Sequence, residues 1–366
     1  MVLSSIYLRE SWKYGERAFR NCMLDVGHAL GAVGTAASCL GWQIAIQDEV
    51  GTEDLYSLLG MDDVDLEAER PNCLLAIFND GVIHNVSLSS ETMRAFHSAS
   101  FKGRPNVLSV DQVDWPIINS VSGATSKPAK MDVYEKKAAF AKRKASSEIC
   151  RVIRRRRSAQ AMDGRTTISS DKFYEILRLT LPNQLPLSLF PWKPHVDLVL
   201  FIHRIQGLES GLYLLARDEG RVDELRNLMA ADFAWERNKS STKDLKLYLL
   251  AQGDLRPMAR QASCHQEIAY DGCFAVAMLA EFEKPIEIGP WFYNRLYWEC
   301  GMIGQLLYLG AETIGFRGCW IGCFFDDFVH ELLGFMGMKF QDLYHFTVGK
   351  ALEDKRLITL PPYSLA

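Results

Sequence analysis

GHALGAVGTAASCLGW, residues 27–42, carries no formal charge and is crowded with Gly and Ala. Such a run can cradle a phosphate, cross a membrane, or form a buried helix whose small residues let neighbours approach. A second stretch, GMIGQLLYLGAETIGF at 301–316, separates the three readings. At a spacing of 274 residues Gly27 falls on Gly301, Ala37 on Ala311, Leu40 on Ile314, Gly41 on Gly315 and Trp42 on Phe316. The register extends upstream, with Gly15 on Gly289, Phe19 on Tyr293 and Asp25 on Glu299. It extends downstream too, with Leu58-Leu59-Gly60 on Leu332-Leu333-Gly334. Each copy is followed by a strand-like run, CLLAIF at 73–78 and LYHFTVG at 343–349. The pattern predicts a duplicated supersecondary unit: a long small-residue helix, a loop, a short helix ending in Leu-Leu-Gly, and a strand.

The duplication removes the first two readings. Gly27, Gly31 and Gly34 are spaced G-xxx-G-xx-G, not as a dinucleotide fingerprint, and KYGERAFRNCMLDV before them is helical in composition rather than a strand. Copy two keeps the helix but carries Gln305 for Gly31 and Tyr308 for Gly34. Glycines needed for close approach to a phosphate could not be exchanged so freely. Copy two also places Glu312 inside the segment, and Asp25 and Asp48 bracket copy one, so no membrane span is expected. A central, tightly packed helix remains.

The 366 residues are 48% hydrophobic and 23% charged, a composition that supports a sizeable core. A formal net charge of −4 argues against a chain built as a whole for polyanions. Nine cysteines without paired zinc spacing read as reduced, mostly buried thiols in a cytoplasmic compartment, with no metal centre. The opening MVLSSIYLRESWKYGER has no apolar core segment, so it does not read as a secretory signal.

Three regions follow. Residues 1–85 repeat only the C-terminal half of the later unit. Residues 86–150 form a Gly-, Pro- and Ser-rich connector without sustained period, and a basic helix begins at 131 and runs to 157. Residues 151–366 form a complete unit. Within it, ISSDKFYEILRLTL reads as a helix with Ser170 as N-cap. VDLVLFIHRI and GLYLLARD read as a hairpin, and 221–285 reads as mostly helical.

The most unusual stretch is Arg154-Arg155-Arg156-Arg157-Ser158. It suits a solvated basic helix face, a nucleic-acid patch, or an anion site of guanidinium forks and a hydroxyl. The nucleic-acid reading is weakened by the acidic net charge and the lack of interleaved aromatics. Cys264-His265-Gln266 reads as packing or a helix start. His28 reads as a satisfied buried histidine.

Arg156-Arg157-Ser158, followed by a loop and an IxxDxFxxIL helix, resembles the opening arm of the nitroreductase-like flavoproteins. GQLLYLGAETIGFRGCWIGCFFDDFVHELLG resembles their core helix and flavin-edge loop. Lys13-Tyr14-Gly15 with Gly27-His28 resembles the SagB-type branch, which includes azoline-oxidising dehydrogenases. The layout is similar to tandem members of that branch with the first unit truncated.

The resemblance implies an α+β fold with a mostly antiparallel sheet and flanking helices. It also implies an internal pseudo-dimer or a homodimer, and an FMN-dependent oxidoreductase with NAD(P)H as a candidate reductant. The substrate implied is a small molecule or peptide-derived. Arg156, Arg157 and Ser158 match the flavin-binding arm. Gln160 stands where the arm usually carries a basic residue. Gly322 and Cys323 fall where backbone N–H groups meet the flavin edge, and Lys355 and Arg356 fall where basic phosphate ligands occur. Lys13 and Tyr14 match the pair implicated in substrate deprotonation. Their counterparts in copy two are Glu287 and Ile288, so only copy one carries the pair, and the resemblance implies that it reaches the flavin held by the second copy. The competing reading is a binding or scaffold protein descended from such an enzyme, favoured by Gln160 and the missing half-unit.

Overall fold

The computed structural model describes every residue except 62–66, 80–87, 104–105, 109–112, 130–146, 239–242, 359 and 361–366. The chain begins β1 (Val2–Ser5), α1 (Tyr7–Tyr14), α2 (Ala18–Leu40), β2 (Gln43–Ile46), α3 (Thr52–Leu59), β3 (Arg70–Phe78), α4 (Ser90–His97) and α5 (Pro116–Ala124). It continues α6 (Ser147–Arg155), β4 (Ile168–Ser169), α7 (Ser170–Leu179), β5 (Val196–Ile202), β6 (Ile205–Gln206), β7 (Gly211–Ala216), α8 (Val222–Leu228), β8 (Glu236–Arg237) and β9 (Lys246–Gln252). The last elements are α9 (Arg256–Ala262), α10 (Glu267–Asp271), β10 (Phe274–Glu281), α11 (Glu283–Ile288), α12 (Phe292–Thr313), β11 (Arg317–Ile321), α13 (Asp326–Leu333) and β12 (Phe340–Gly349). Contacts group the chain into two units. The first comprises residues 1–144, 188–193 and 284–302, and the second comprises 145–187, 194–283 and 303–366.

The first unit holds a three-stranded antiparallel sheet in the order β1-β3-β2. Pro71, Cys73 and Leu75 of β3 are buried and alternate with more exposed neighbours, the period of a strand with one covered face. The second unit holds a seven-stranded antiparallel sheet in the order β11-β12-β10-β5-β7-β9-β8, and a short parallel pair, β4 with β6. Every residue of β5, β7 and β10 is buried, as strands covered on both faces must be. Phe201, Leu214, Leu279 and Phe340 lie in the apolar cluster on this sheet.

The duplicated pattern is matched element for element. Helix α2, strand β2 and helix α3 begin at Ala18, Gln43 and Thr52; α12, β11 and α13 begin at Phe292, Arg317 and Asp326, in the same 274-residue register. Gly41 and Gly315 close the two long helices in the left-handed region, at φ 72° and 75°. That conformation falls to glycine at little steric cost.

Gly27 and Gly301 are themselves in contact. A Cβ on Gly27 would run into the Trp298 carbonyl oxygen and lie 2.9 Å from the Gly301 Cα. One on Gly301 would run into the Leu24 carbonyl oxygen and lie 3.0 Å from the Gly27 Cα. The two backbones touch at corresponding residues, and both partners belong to the first unit. Helix α2 is part of a segment long and apolar enough to cross a membrane by length and composition. In this fold it buries Met23, Leu24, Val26 and Leu30.

Three sequence expectations need correction. Residues 221–285 are not mostly helical, since they contain β8, β9 and β10. The N-cap of α7 is Ser169, whose extended backbone belongs to β4, and Ser170 is the first helical residue. The connector contains α4 and α5, the first capped by Ser89 Oγ, which accepts from Thr92 N at 3.0 Å. Residues 131–146 of the expected basic helix lie outside the described residues, and α6 is its described end.

Alanine for Gly27 would add about 1 kcal/mol of helix propensity. Overpacking typically costs about 1–3 kcal/mol, and here the obstructing atoms are backbone and cannot turn aside. Gly27→Ala and Gly301→Ala are therefore expected to lower the urea-unfolding free energy by about 2 kcal/mol or more. Gly123→Ala in α5, where a Cβ meets nothing within 4 Å, should leave it unchanged or raise it.

Candidate functional site

The arginine arm leaves α6 and is fixed within the second unit by one tyrosine. Arg156 N donates to the Val152 carbonyl at 2.9 Å, completing the last turn. Arg157 Nη1 donates to the Arg156 carbonyl at 2.8 Å, covering a carbonyl freed at the helix end. The Arg156 guanidinium lies 4.8 Å from the centroid of Tyr308 on α12, a cation–π contact. Tyr308 Oη sits 2.8 Å from Ser158 Oγ and accepts from Trp320 N at 3.0 Å. Burial pushes the Tyr308 phenol up to about 12, opposed by the contacts to Ser158 and Trp320. It stays protonated at neutral pH, so it can accept from Trp320 and still donate to Ser158. Ala159 N donates to the Gly318 carbonyl at 2.9 Å. Residues 156–159 thus lie against β11, just before Gly322.

The loop after β11 is braced from beneath. The Trp320 ring occupies the place a Cβ on Gly322 would take, with Cη2 3.0 Å from it, so that position accepts only glycine without moving the ring. Cys323 is not a free thiol: it is bridged to Cys264, with Cα atoms 5.7 Å apart, inside the span of a disulfide. This corrects the expectation that all nine cysteines are reduced. The reason is tertiary: Phe325 N donates to the Ala262 carbonyl at 2.8 Å and Gln266 Nε2 to the Cys323 carbonyl at 3.2 Å, which brings the two loops together. Cys264 and His265 both take left-handed backbone, at φ 53° and 56°, an arrangement costing roughly 1–2 kcal/mol per residue. Phe324 stacks on His345 at 4.7 Å. His345 in turn meets Ser263 Oγ at 3.1 Å and Asp342 Oδ2 at 2.6 Å. Burial pushes the Asp342 carboxyl up, against the pull of His345.

The other predicted residues are placed as follows. Gln160 is exposed. Lys355 and Arg356 are exposed, and Arg356 grips Asp354 through Nε at 2.9 Å and Nη2 at 2.7 Å. The chain before them runs beside the arm's continuation: Asp163 N donates to the Lys350 carbonyl at 2.9 Å and Leu352 N to the Ala161 carbonyl at 3.0 Å. Lys13 and Tyr14 end α1 in the first unit, with Lys13 Nζ 4.9 Å from the Tyr14 ring centroid. The structure joins Arg156 and Ser158 through Tyr308 to β11, the strand before Gly322, while Arg157 turns back on the carbonyls of its own helix end. Tyr308, which joins them, was missed in the sequence, and the Gly34-to-Tyr308 exchange between the copies is its only trace there. Among the described residues, no group of three or more His, Cys, Asp and Glu could hold a metal ion.

A family model described as the nitroreductase family matches residues 211–350. A solved structure from Anabaena variabilis, classed as a nitroreductase, superposes with a TM-score of 0.68 at 19% identity, covering 96% of this chain and 69% of that one. The fold is nitroreductase-like. The NADPH:FMN oxidoreductase of Vibrio harveyi matches at 14% identity over 59% of this chain and 74% of that one, with a TM-score of 0.33. A microcin synthetase complex of E. coli with a truncated precursor bound matches at 13% identity over 74% and 85%, with a TM-score of 0.41. No curated protein sequence matches. The nitroreductase-like sheet is mostly antiparallel with flanking helices, as the resemblance implied.

The bridge gives a direct count. Seven cysteines are free and two are bridged. Denatured without reductant, the protein should release seven thiols to a disulfide reagent, and nine after reduction. Nine without reduction would remove the bridge from this loop.

Proposed function

We propose that the chain is an FMN-dependent oxidoreductase whose flavin site is built from the arginine arm and the Gly322 loop. The observation that carries this reading is the convergence of the two on Tyr308. The donor set suits the group. Arg156 and Arg157 are half-buried cations beside a hydroxyl, the chemistry that grips a phosphate. Arg156, Arg157 and Ser158 would hold the phosphate or ring edge, with Lys355 and Arg356 as further phosphate ligands. Gly322 and Cys323 would offer backbone N–H groups, because Trp320 N–H is already given to Tyr308. Gln160 would supply a neutral contact where the family carries a cation. Bound FMN supplies the two-electron chemistry, and the protein orients it and admits the substrate.

NAD(P)H is the proposed reductant, and the substrate class is a small molecule or a peptide-derived heterocycle of the SagB-type branch. The contact of corresponding residues Gly27 and Gly301 supports a tandem, internally pseudo-dimeric chain. On this reading the purified protein carries FMN, non-covalently, at close to one per chain, visible in its absorption spectrum. Charge-assisted bonds are worth roughly 1.5–3 kcal/mol each. Arg157→Ala should therefore weaken FMN binding on the order of tenfold or more. A protein that stays colourless after incubation with FMN would rule out the oxidoreductase reading.

Lys13 and Tyr14 are the proposed proton-handling pair. Lys13 is exposed and Tyr14 half-buried at the end of α1, where an amine and a neighbouring phenol can exchange protons with a substrate. The variant carrying Lys13→Ala and Tyr14→Phe should oxidise a thiazoline-containing peptide about a hundredfold more slowly or worse, the lower end of a general-base contribution, while binding FMN as the parent does. Turnover at the parent rate would assign both residues to the surface of α1.

A further inference from the structure

The loops at 262–266 and 321–325 meet within the second unit, and the Cys264–Cys323 bridge joins them. Residues 263–266 form a tight turn, closed by Gln266 N donating to the Ser263 carbonyl at 3.1 Å. Its central residues, Cys264 and His265, lie at φ 53° and 56°. Turns with both central residues at positive φ belong to Gly, Asn and Asp. A cysteine and a histidine hold this one against their own backbone preference.

The turn carries what braces the neighbouring loop. Gln266 Nε2 donates to the Cys323 carbonyl at 3.2 Å, and Phe325 N donates to the Ala262 carbonyl at 2.8 Å. The residues beside the two sulfurs converge on one histidine: Ser263 Oγ lies 3.1 Å from His345 Nδ1, and the Phe324 ring stacks on the imidazole at 4.7 Å. His345 pairs with Ile321 across β12 and β11. The loop after β11 is thus coupled to a turn that persists only because its contacts over-determine it.

The bridge can be reached. Cys264 and Cys323 are half-buried, and His265 and Phe325 beside them are exposed. Cys22, Cys73, Cys273 and Cys300 are buried by contrast. Burial pushes the Cys73 and Cys273 thiols up to about 12, so these remain protonated and inert to exchange. Bridges that are exposed or strained are the labile ones, whereas well-buried structural bridges resist reduction.

We propose that Cys264–Cys323 is an exchange site for a dithiol reductant, and that opening it releases the Gly322 loop. The consequence rests on the flavin reading: the bridged chain holds FMN tightly and the opened chain holds it weakly. One thiolate of the reductant attacks a bridge sulfur, forming a mixed disulfide and expelling the other cysteine. The second thiol of the reductant then displaces the first cysteine. Two electrons and two protons pass to the chain, and the reductant leaves as its own disulfide. With the sulfurs parted, Cys264 and His265 can return to ordinary backbone, which withdraws Gln266 from the Cys323 carbonyl.

The test compares the full chain as purified with the chain treated with dithiothreitol under native conditions, the reductant then being removed under nitrogen. Opening should make two further thiols available to alkylation, mapped to Cys264 and Cys323 by mass spectrometry. Amide hydrogen exchange at 264–266 and 322–325 should quicken about tenfold, the effect of losing one hydrogen bond, while β10 stays unchanged. FMN affinity, titrated by quenching of flavin fluorescence, should fall about tenfold. Cys264→Ser combined with Cys323→Ser should match the reduced parent, which itself gives the reading if that variant does not fold. His265→Gly, where glycine takes left-handed backbone at little cost, should show a smaller rise in exchange on reduction than the parent. The proposal is overturned by a bridge that opens only on denaturation, by equal exchange or equal FMN affinity in the two states, or by a full response from His265→Gly. If neither state binds FMN, the flavin reading falls, and alkylation and exchange decide the opening of the loop by themselves.

Discussion

The close contact of Gly27 with Gly301 is the constraint on which the first unit depends. At that point two helices touch backbone to backbone, and each glycine faces a carbonyl oxygen of the other helix. Any side chain there would push the helices apart by its own width, so the small-residue run is a packing surface. The residues in contact correspond in the 274-residue register. This answers the question posed by the charge-free run. Gly27 is required because another glycine, Gly301, lies opposite it.

Elsewhere the copies are free to diverge, and they have. The long helix carries Gly34 in the first copy and Tyr308 in the second. Only the second can therefore reach a strand amide and a serine hydroxyl with one phenol. The loop after the equivalent strand carries Asp48 in the first copy and Gly322 in the second. A buried carboxylate is costly unless a cation meets it, and Arg295 does so. One copy has thus filled with an ion pair the place that the other keeps narrow with a glycine and a tryptophan ring.

The duplicated helices, their glycine ends and the hairpin of β5 and β7 were legible because each is written in local sequence. Strands β9 and β10 were not. KLYLLAQ and FAVAMLAE are rich in Leu and Ala and lack two-residue alternation, and β10 is buried along its whole length. Without an exposed face a strand shows no polar period to distinguish it from a helix. The arginine arm could be read from its residues, but the tyrosine that holds it lies 150 positions away. Asp48 and Arg295 are 247 apart, and Cys264 and Cys323 are 59 apart. Nothing in the spacing of either pair predicts an encounter that the fold alone creates.

The disulfide gives the left-handed turn at Cys264 and His265 a purpose. Two non-glycine residues in that conformation cost roughly 1–2 kcal/mol each, and strain of this kind persists only where surrounding contacts over-determine it. Here the bridge, the Ala262 carbonyl and the Gln266 amide all hold the loop that follows β11. Beneath them Phe324 is clamped on a histidine fixed by a serine and an aspartate. A loop held from three sides presents its backbone N–H groups in one arrangement, so little reorganisation is needed when they meet a partner. The strain is therefore best understood as the cost of rigidity at Gly322, located where the chain's charged arm also arrives.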